Sequence, residues 1–219
     1  MDQSKQYDDI LQYCTKLCEE GIAKGVLWKP EIDSMYTDLE VGREEYALRS
    51  GIVQRGFYCP SPVREHIITN RRRGRIAKRL TKASRPTNRY LFDQKNRLRI
   101  AETFYDNGAE ETEYIFYEDN FVYGFVLGRN KKFSKVSIER FLDGKISEYL
   151  WSHVQYEAET ESYNLSTCIY EVYSYDDNRL TLDNYYIRDG GPYFVPRIRV
   201  QRMNCLFDLG EDGTYSFAK

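Results

Sequence analysis

The fold of this chain is decided by the stretch Arg97-Leu98-Arg99-Ile100-Ala101-Glu102-Thr103-Phe104. Polar and apolar side chains alternate along it, and this period of two is typical of a β-strand with one buried face. It is flanked by two turn sequences, Asp93-Gln94-Lys95-Asn96 and Asp106-Asn107-Gly108. Asn and Gly supply the positive φ angles that hairpin turns require. The stretch therefore predicts one strand of an antiparallel hairpin array.

The same pattern continues to the end of the chain. Further β-rich runs occupy residues 113–117, 121–126, 135–141, 146–154, 168–175 and 180–187. Turn residues recur at thirteen-residue intervals, as from Asp93 to Asp106 and from Asp176 to Asp189. The sequence therefore predicts a β-meander over 88–219 with about eight to ten strands. It would be an extended twisted sheet or a sheet curling towards a barrel.

Residues 1–87 have a helical period instead, so the expected fold class is α+β with a helical region before the sheet. A first helix carries one apolar stripe and should end near Gly21, and a second opens at Pro30. The second helix has Ile32, Met35, Tyr36 and Leu39 on one face. Shorter helices are predicted over residues 44–50, from Ser61-Pro62 through Ile68, and over residues 75–80.

Charge is strongly segregated along the chain. No acid lies between Glu65 and Asp93, whereas nine bases do: Arg71, Arg72, Arg73, Arg75, Lys78, Arg79, Lys82, Arg85 and Arg89. The remaining 23 bases face 34 acids, which leaves the rest of the chain at −11. One explanation of the basic segment, residues 70–85, is phosphate binding, with Arg71, Arg72, Arg73, Arg75, Lys78 and Arg79 as the contacts. The favoured one is internal pairing with the acidic sheet, since the sequence pI is about 5.9.

Tyrosine is the other unusual feature, with 20 in 219 residues. If the sheet has one wet face, its tyrosines and interleaved acids would form a protein-binding surface, because tyrosine contributes contact area at low entropic cost. The alternative is ordinary cross-strand packing of aromatic rings. The candidate contact residues are Tyr114, Tyr117, Tyr123, Tyr149, Tyr173 and Tyr175.

Two segments share a sequence pattern of aromatic, x, aromatic, Asp, a turn, and then Asn-Arg-Leu. They begin at Tyr90 and Tyr173. Asp would cap the turn, Asn would take the left-handed position, and Leu would return to the apolar face. The pattern resembles the Tyr-Asp repeat of Rhs-type proteins, with Phe92 in place of the Tyr and Asn96 in place of the Gly. That resemblance implies a hairpin array. In overall style the chain is also similar to bacterial immunity proteins that neutralise toxins.

The sequence contains no recognisable catalytic, metal or cofactor motif. His66 and His153 stand outside any motif, and an enzyme with a dispersed site would need a pocket that joins one of them, or a thiol, to a carboxylate. Cys14, Cys18, Cys168 and Cys205 are expected to be core residues. Their free thiols, and the absence of a leader or an apolar span, favour a cytoplasmic protein without membrane contact.

The expected function is non-enzymatic protein binding, most specifically that of an immunity or antitoxin-like protein that occludes a basic toxin. The alternative is nucleic-acid binding through the basic segment. A monomer and a homodimer are both open, because edge strands can pair between chains.

Overall fold

A computed structural model describes residues 3–50, 54–64, 74–82, 84–108, 110–176, 178–189, 198–209 and 215–217. The helices are α1 (Gln3–Leu27) and α2 (Lys29–Asp38), with a 3-10 helix at Gly56–Tyr58. The first six strands are β1 (Arg43–Leu48), β2 (Arg75–Ala77), β3 (Asn88–Phe92), β4 (Leu98–Phe104), β5 (Glu110–Glu118) and β6 (Phe121–Leu127). The others are β7 (Phe133–Leu142), β8 (Lys145–Glu157), β9 (Ser162–Asp176), β10 (Arg179–Asp189), β11 (Ile198–Leu209) and β12 (Tyr215–Phe217).

The predicted α+β class and the meander are confirmed. Each strand from β3 to β12 is hydrogen-bonded to the next one in sequence, and β1 lies between β3 and β2. Ten strands follow residue 87, at the upper end of the expected number. Among the described strands the sheet is open, with β2 and β12 at its edges, so it does not close into a barrel.

The described turns lie where the acid and amide residues predicted them. Positive φ angles occur at Asn96, Gly108, Asp119, Lys131 and Asp143. One turn was missed: β8 and β9 are longer than predicted and meet at residues 158–161, where Glu161 has a φ of 50°. That turn contains no Gly, Asn or Asp, so the sequence carries little turn signal there.

The turn at Asp93 has the predicted mechanism. Asp93 Oδ1 accepts hydrogen bonds from the backbone N–H groups of Lys95 and Arg97, both at 2.9 Å. Asn96 takes the left-handed conformation at φ 61°, and Leu98 returns to the core. Burial alone would raise the pKa of Asp93, but these bonds and the Arg97 guanidinium outweigh it and lower the pKa. Asp93 therefore stabilises the fold in its charged form.

This gives the first prediction, for the substitution Asp93→Asn. Asn keeps the acceptor oxygen and loses the charge that faces Arg97, so we expect a loss of about 1 kcal/mol at neutral pH. Folding lowers the pKa of Asp93, so the stabilisation by its charged form is fully present above the ordinary pKa of the carboxyl group. It is lost as the pH falls through the lower pKa of the folded state. Urea unfolding should therefore show a larger difference between the variant and the wild type at pH 7 than at pH 3. An equal difference at both pH values would contradict this.

Several predictions for residues 1–87 are wrong. The segment 44–50 is not a helix, since β1 pairs with β3 through residues 43–47. Residues 75–80 begin as strand β2, because pairing with β1 outweighs the helix propensity of a segment too short to be helical alone. Ser61 does cap a turn by accepting a bond from the Arg64 N–H at 3.0 Å. The expected continuation through Ile67 and Ile68 lies outside the described residues.

The first helix does not end at Gly21. It continues to Leu27, and Gly21 is an interior residue because a Cβ there would lie 2.7 Å from Ile138 Cδ1. Close packing against the sheet, rather than helix termination, therefore explains this glycine. The second helix begins with Pro30 in its first turn and buries Ile32 and Met35, as predicted.

The chain forms two compact units, which do not divide at the expected boundary of residue 88. Unit 1 comprises Met1–Val26, Tyr117–Tyr123 and Gly128–Lys219, and unit 2 comprises Leu27–Phe116 and Gly124–Leu127. In unit 1, α1 packs on the strands through Cys14 and Cys18. In unit 2, Trp28 stacks on Phe116 at 4.8 Å between ring centroids, and Phe125 meets both rings edge-on.

Candidate functional site

Around the middle of β8 in unit 1, the sheet does not have the solvent-exposed face that the tyrosine hypothesis assumed. Tyr149 and Leu150 are adjacent in β8 and therefore point to opposite faces, yet both are fully buried. Tyr123 and Tyr173 are buried as well. These three tyrosines are core residues, and their assignment as partner contacts is wrong, because a buried ring offers no surface to a partner.

The other three candidate tyrosines keep part of their surface. Tyr117 is exposed, and Tyr175 is half-buried with the Lys145 ammonium 5.0 Å from its ring centroid. Tyr114 is half-buried in unit 2. Tyr114 lies close to Tyr36 and Glu102. These two residues belong to a polar network whose members were not predicted from the sequence as site residues.

We call this network the tyrosine–acid patch and define it as Tyr36, Glu44, Tyr46, Arg89, Glu102 and Tyr114. Strand pairing builds it, since Tyr46 of β1 lies opposite Arg89 of β3, and Arg89 lies opposite Glu102 of β4. Helix α2 adds Tyr36, which was placed on the same helix face as Ile32 and Met35 and is 48% exposed.

Arg89 is the centre of the patch. Its Nε donates to Glu44, and its Nη1 donates to the Tyr36 hydroxyl at 2.9 Å and to Glu102 at 3.3 Å. The Tyr36 hydroxyl in turn donates to Glu102 Oε1 at 2.8 Å. Burial lowers the pKa of Arg89, but the two carboxylates outweigh it and raise the pKa. The charges therefore stay in place and hold the tyrosine hydroxyl in one geometry.

The tyrosines of the patch remain neutral over the physiological range. Burial raises the pKa of Tyr36, Tyr46 and Tyr114, and the neighbouring carboxylates raise it further. For Glu44, burial acts to raise the pKa, but bonds to Tyr46 and Arg89 lower it overall. The patch therefore presents protonated tyrosines beside ionised acids, a combination suited to hydrogen bonding with a polar partner surface.

The described bases of the basic segment do not pair with the acids of the sheet, although such pairing was the favoured explanation of its charge. Arg71, Arg72 and Arg73 lie outside the described residues. Arg75, Lys78, Arg79, Lys82 and Arg85 are all exposed, and none of the five forms an ion pair within the described part of the chain. Internal pairing with acids is therefore wrong for these five bases. It is right for Arg89, which pairs with Glu44 and Glu102.

Cys14, Cys18, Cys168 and Cys205 are free and buried, as predicted. Cys59, which was not predicted to be a core residue, is free and buried as well. Burial raises the pKa of Cys18 to about 12 and also raises that of Cys168. These thiols are therefore protonated at neutral pH, when a thiol is a poor nucleophile. No group of three or more His, Cys, Asp or Glu side chains that could hold a metal occurs in the described ranges.

A cleft of about 380 Å³ in unit 2 lies between α2 and the β3–β4 turn. Met35 and Leu39 form its apolar part, and Lys95, Arg97 and Arg99 line the other side. Arg99 is held by Glu31 at 3.0 Å and by the Ile115 carbonyl at 3.0 Å. Its lining contains neither histidine nor cysteine among the residues that the structure describes. His153 lies elsewhere, edge-on to Trp151, and His66 is not described.

Comparison with known proteins does not assign the chain to a family. No protein family matches the chain, and none of the curated proteins is significantly similar to it. No helix within the described ranges is long and apolar enough to cross a membrane.

Proposed function

We propose that this protein is a non-enzymatic protein-binding protein and that the tyrosine–acid patch is its contact surface. The observation that carries this proposal is the fixed, half-exposed position of Tyr36 on Arg89 and Glu102. Tyrosines with few rotatable bonds lose little entropy on binding, and rings already fixed by hydrogen bonds lose less. Tyr and Arg are also the residues that most often dominate interface energies.

The more specific proposal is an immunity or antitoxin-like role, in which the patch covers a functional surface of a toxin. Two carboxylates, Glu44 and Glu102, face one guanidinium in the patch, and Asp33 lies near Tyr114. A surplus of acid attracts a basic partner and speeds its association. The bonds of Arg89 also stabilise the strand pairing of unit 2, so a binding role needs its own test.

The test is the substitution Tyr36→Ala in a quantitative pull-down from the native cell, followed by titration of the purified partner. A central interface tyrosine contributes about 2 kcal/mol or more, so we expect the partner's Kd to rise by at least about 30-fold. Tyr36→Phe keeps the ring and loses the bonds to Glu102 and Arg89. It should give an intermediate loss, because the ring is then no longer fixed.

The matched control is Tyr13→Ala. Tyr13 is also an exposed helical tyrosine, at 39% exposure, and it donates to a strand carboxylate, Glu148, at 2.6 Å. The proposal expects this variant to bind as the wild type does. It is overturned if no captured protein distinguishes Tyr36→Ala from wild type, or if the Tyr13 variant loses the partner instead. A partner protein encoded beside this one that acts as a toxin in its absence would support the immunity role.

A further inference from the structure

Residues 74–82 and 84–86, which we call the basic loop, form an anchored and purely basic surface of unit 2. They contain five bases, Arg75, Lys78, Arg79, Lys82 and Arg85, and neither an acid nor an aromatic residue. The five bases are exposed. Arg75 pairs with Leu48, and the next residue, Arg49, is a sixth exposed base. Within the described ranges Arg49 also forms no ion pair.

Strand β1 anchors the loop at both ends. Gly74 approaches β1 so closely, at φ +80°, that a Cβ would lie 2.5 Å from the Leu48 carbonyl oxygen. At the other end, Thr87 donates its backbone N–H to the Ala47 carbonyl at 2.9 Å. Between these ends, β2 pairs with β1, with Tyr46 opposite Ala77. The bases therefore project from a fixed backbone, so the entropic cost of ordering a loop on binding is reduced.

A small turn orders the middle of the loop. The Ser84 N–H donates to the Thr81 carbonyl at 2.9 Å, and the Thr81 N–H donates to Ser84 Oγ at 3.0 Å. This reciprocal pair places Lys82 at the tip of the turn.

The nearest acids in the strand partner are already engaged. Glu44 of β1 binds Arg89, and Glu45 binds Arg43 and the Tyr58 hydroxyl. These two acids are therefore bonded to groups outside the basic loop and not to its bases. The positive field of the basic loop stays available to a ligand, although the whole chain carries a net charge of −2.

We propose that the basic loop is a binding site for the phosphate backbone of duplex nucleic acid, without sequence specificity. Lysine and arginine side chains that neutralise phosphates release condensed counterions, which supplies non-specific affinity. Single-stranded binding relies on aromatic side chains on which bases stack, and the basic loop has none. This site is separate in function from the tyrosine–acid patch and does not depend on the patch being a protein interface.

The test measures fluorescence anisotropy of a labelled DNA duplex of about 20 base pairs in a salt series. Five phosphate contacts predict a slope of log K against log salt of about −4.5 and a Kd on the order of micromolar near 50 mM salt. A variant with Arg75, Lys78, Arg79, Lys82 and Arg85 all changed to Gln should bind at least about 100-fold more weakly. Because the five side chains are exposed, its thermal unfolding should match that of the wild type.

The matched control removes the same charge elsewhere by changing Lys16, Arg129, Lys131, Lys132 and Arg188 to Gln. All five are exposed, so this variant isolates net charge from position. We expect it to retain binding within about threefold and to keep the salt slope. Tyr36→Ala should also bind the duplex as the wild type does, which separates this site from the proposed protein interface.

Several outcomes would overturn the assignment. They are no duplex binding by the wild type near 50 mM salt, an equal loss in the control variant, or tighter binding to a single strand of the same length. Loop-dependent binding to vesicles rich in phosphatidylserine, without binding to the duplex, would reassign the loop to a lipid surface.

Discussion

Replacing Glu113 with leucine is expected to destabilise the protein by roughly 3–5 kcal/mol, because it removes a buried carboxylate that pairs with the buried Arg55. Glu113 and Arg55 have side chains only 4% exposed, and their charged atoms lie 3.0 Å apart. Gln54 also donates to Glu113 Oε1, at 2.6 Å. Chemical denaturation followed by circular dichroism would measure the loss as a lower midpoint with an unchanged slope.

A double variant separates the charge from the packing. Combining Glu113→Leu with Arg55→Met removes both charges, and such replacements of buried pairs are often close to neutral. We expect the double variant to recover most of the stability, with a residual loss because Gln54 loses an acceptor. Arg202→Gln is the control. It breaks a pair with Asp183 in which the Arg202 side chain is 41% exposed, so it should cost far less stability than Glu113→Leu. A single variant as stable as the wild type would contradict the buried-pair assignment.

The second large effect is expected for Phe125→Ala, at about 3–5 kcal/mol. Phe125 is fully buried and meets Trp28 at 6.1 Å and Phe116 at 6.0 Å between ring centroids, both edge-on. Removing the ring loses apolar burial and also leaves a cavity beside the Trp28–Phe116 stack. The same denaturation experiment measures the change, and near-ultraviolet circular dichroism of Trp28 reports on the stack.

Two controls accompany this prediction. Phe125→Leu keeps most of the apolar volume and should lose less stability than Phe125→Ala. Tyr117→Ala removes a ring that is 38% exposed and should have an effect below about 1 kcal/mol. A Phe125→Ala variant that loses no more stability than Tyr117→Ala would show that the aromatic cluster is not packed as described.

The sheet was predictable because its turns carry their own chemistry. Asp93 and Asn96 specify a reversal through local hydrogen bonds and a left-handed backbone, and neither depends on the rest of the fold. Strand β1 was missed for the opposite reason. Its sequence has good helix formers, and only pairing with β3 makes it a strand.

The candidate site was less predictable than the fold. Its centre, Arg89, stood out only as one of nine bases, and its partners Glu44 and Glu102 are 45 and 13 residues away. Contacts over such separations follow from strand register, which a single sequence does not specify. Tyr149 was misplaced because alternation identifies the two faces of a strand but not whether each face is covered.

Both proposed surfaces depend on the register of four strands, β2, β1, β3 and β4, and NMR measures that register directly. We expect cross-strand contacts in solution that place Tyr46 opposite Arg89 and Arg89 opposite Glu102, with Ala77 opposite Tyr46 on the other side. A one-residue slip would turn Arg89 to the other face of the sheet, away from Tyr36. Contacts that place Arg89 opposite Glu45 or Ala47 would contradict the account.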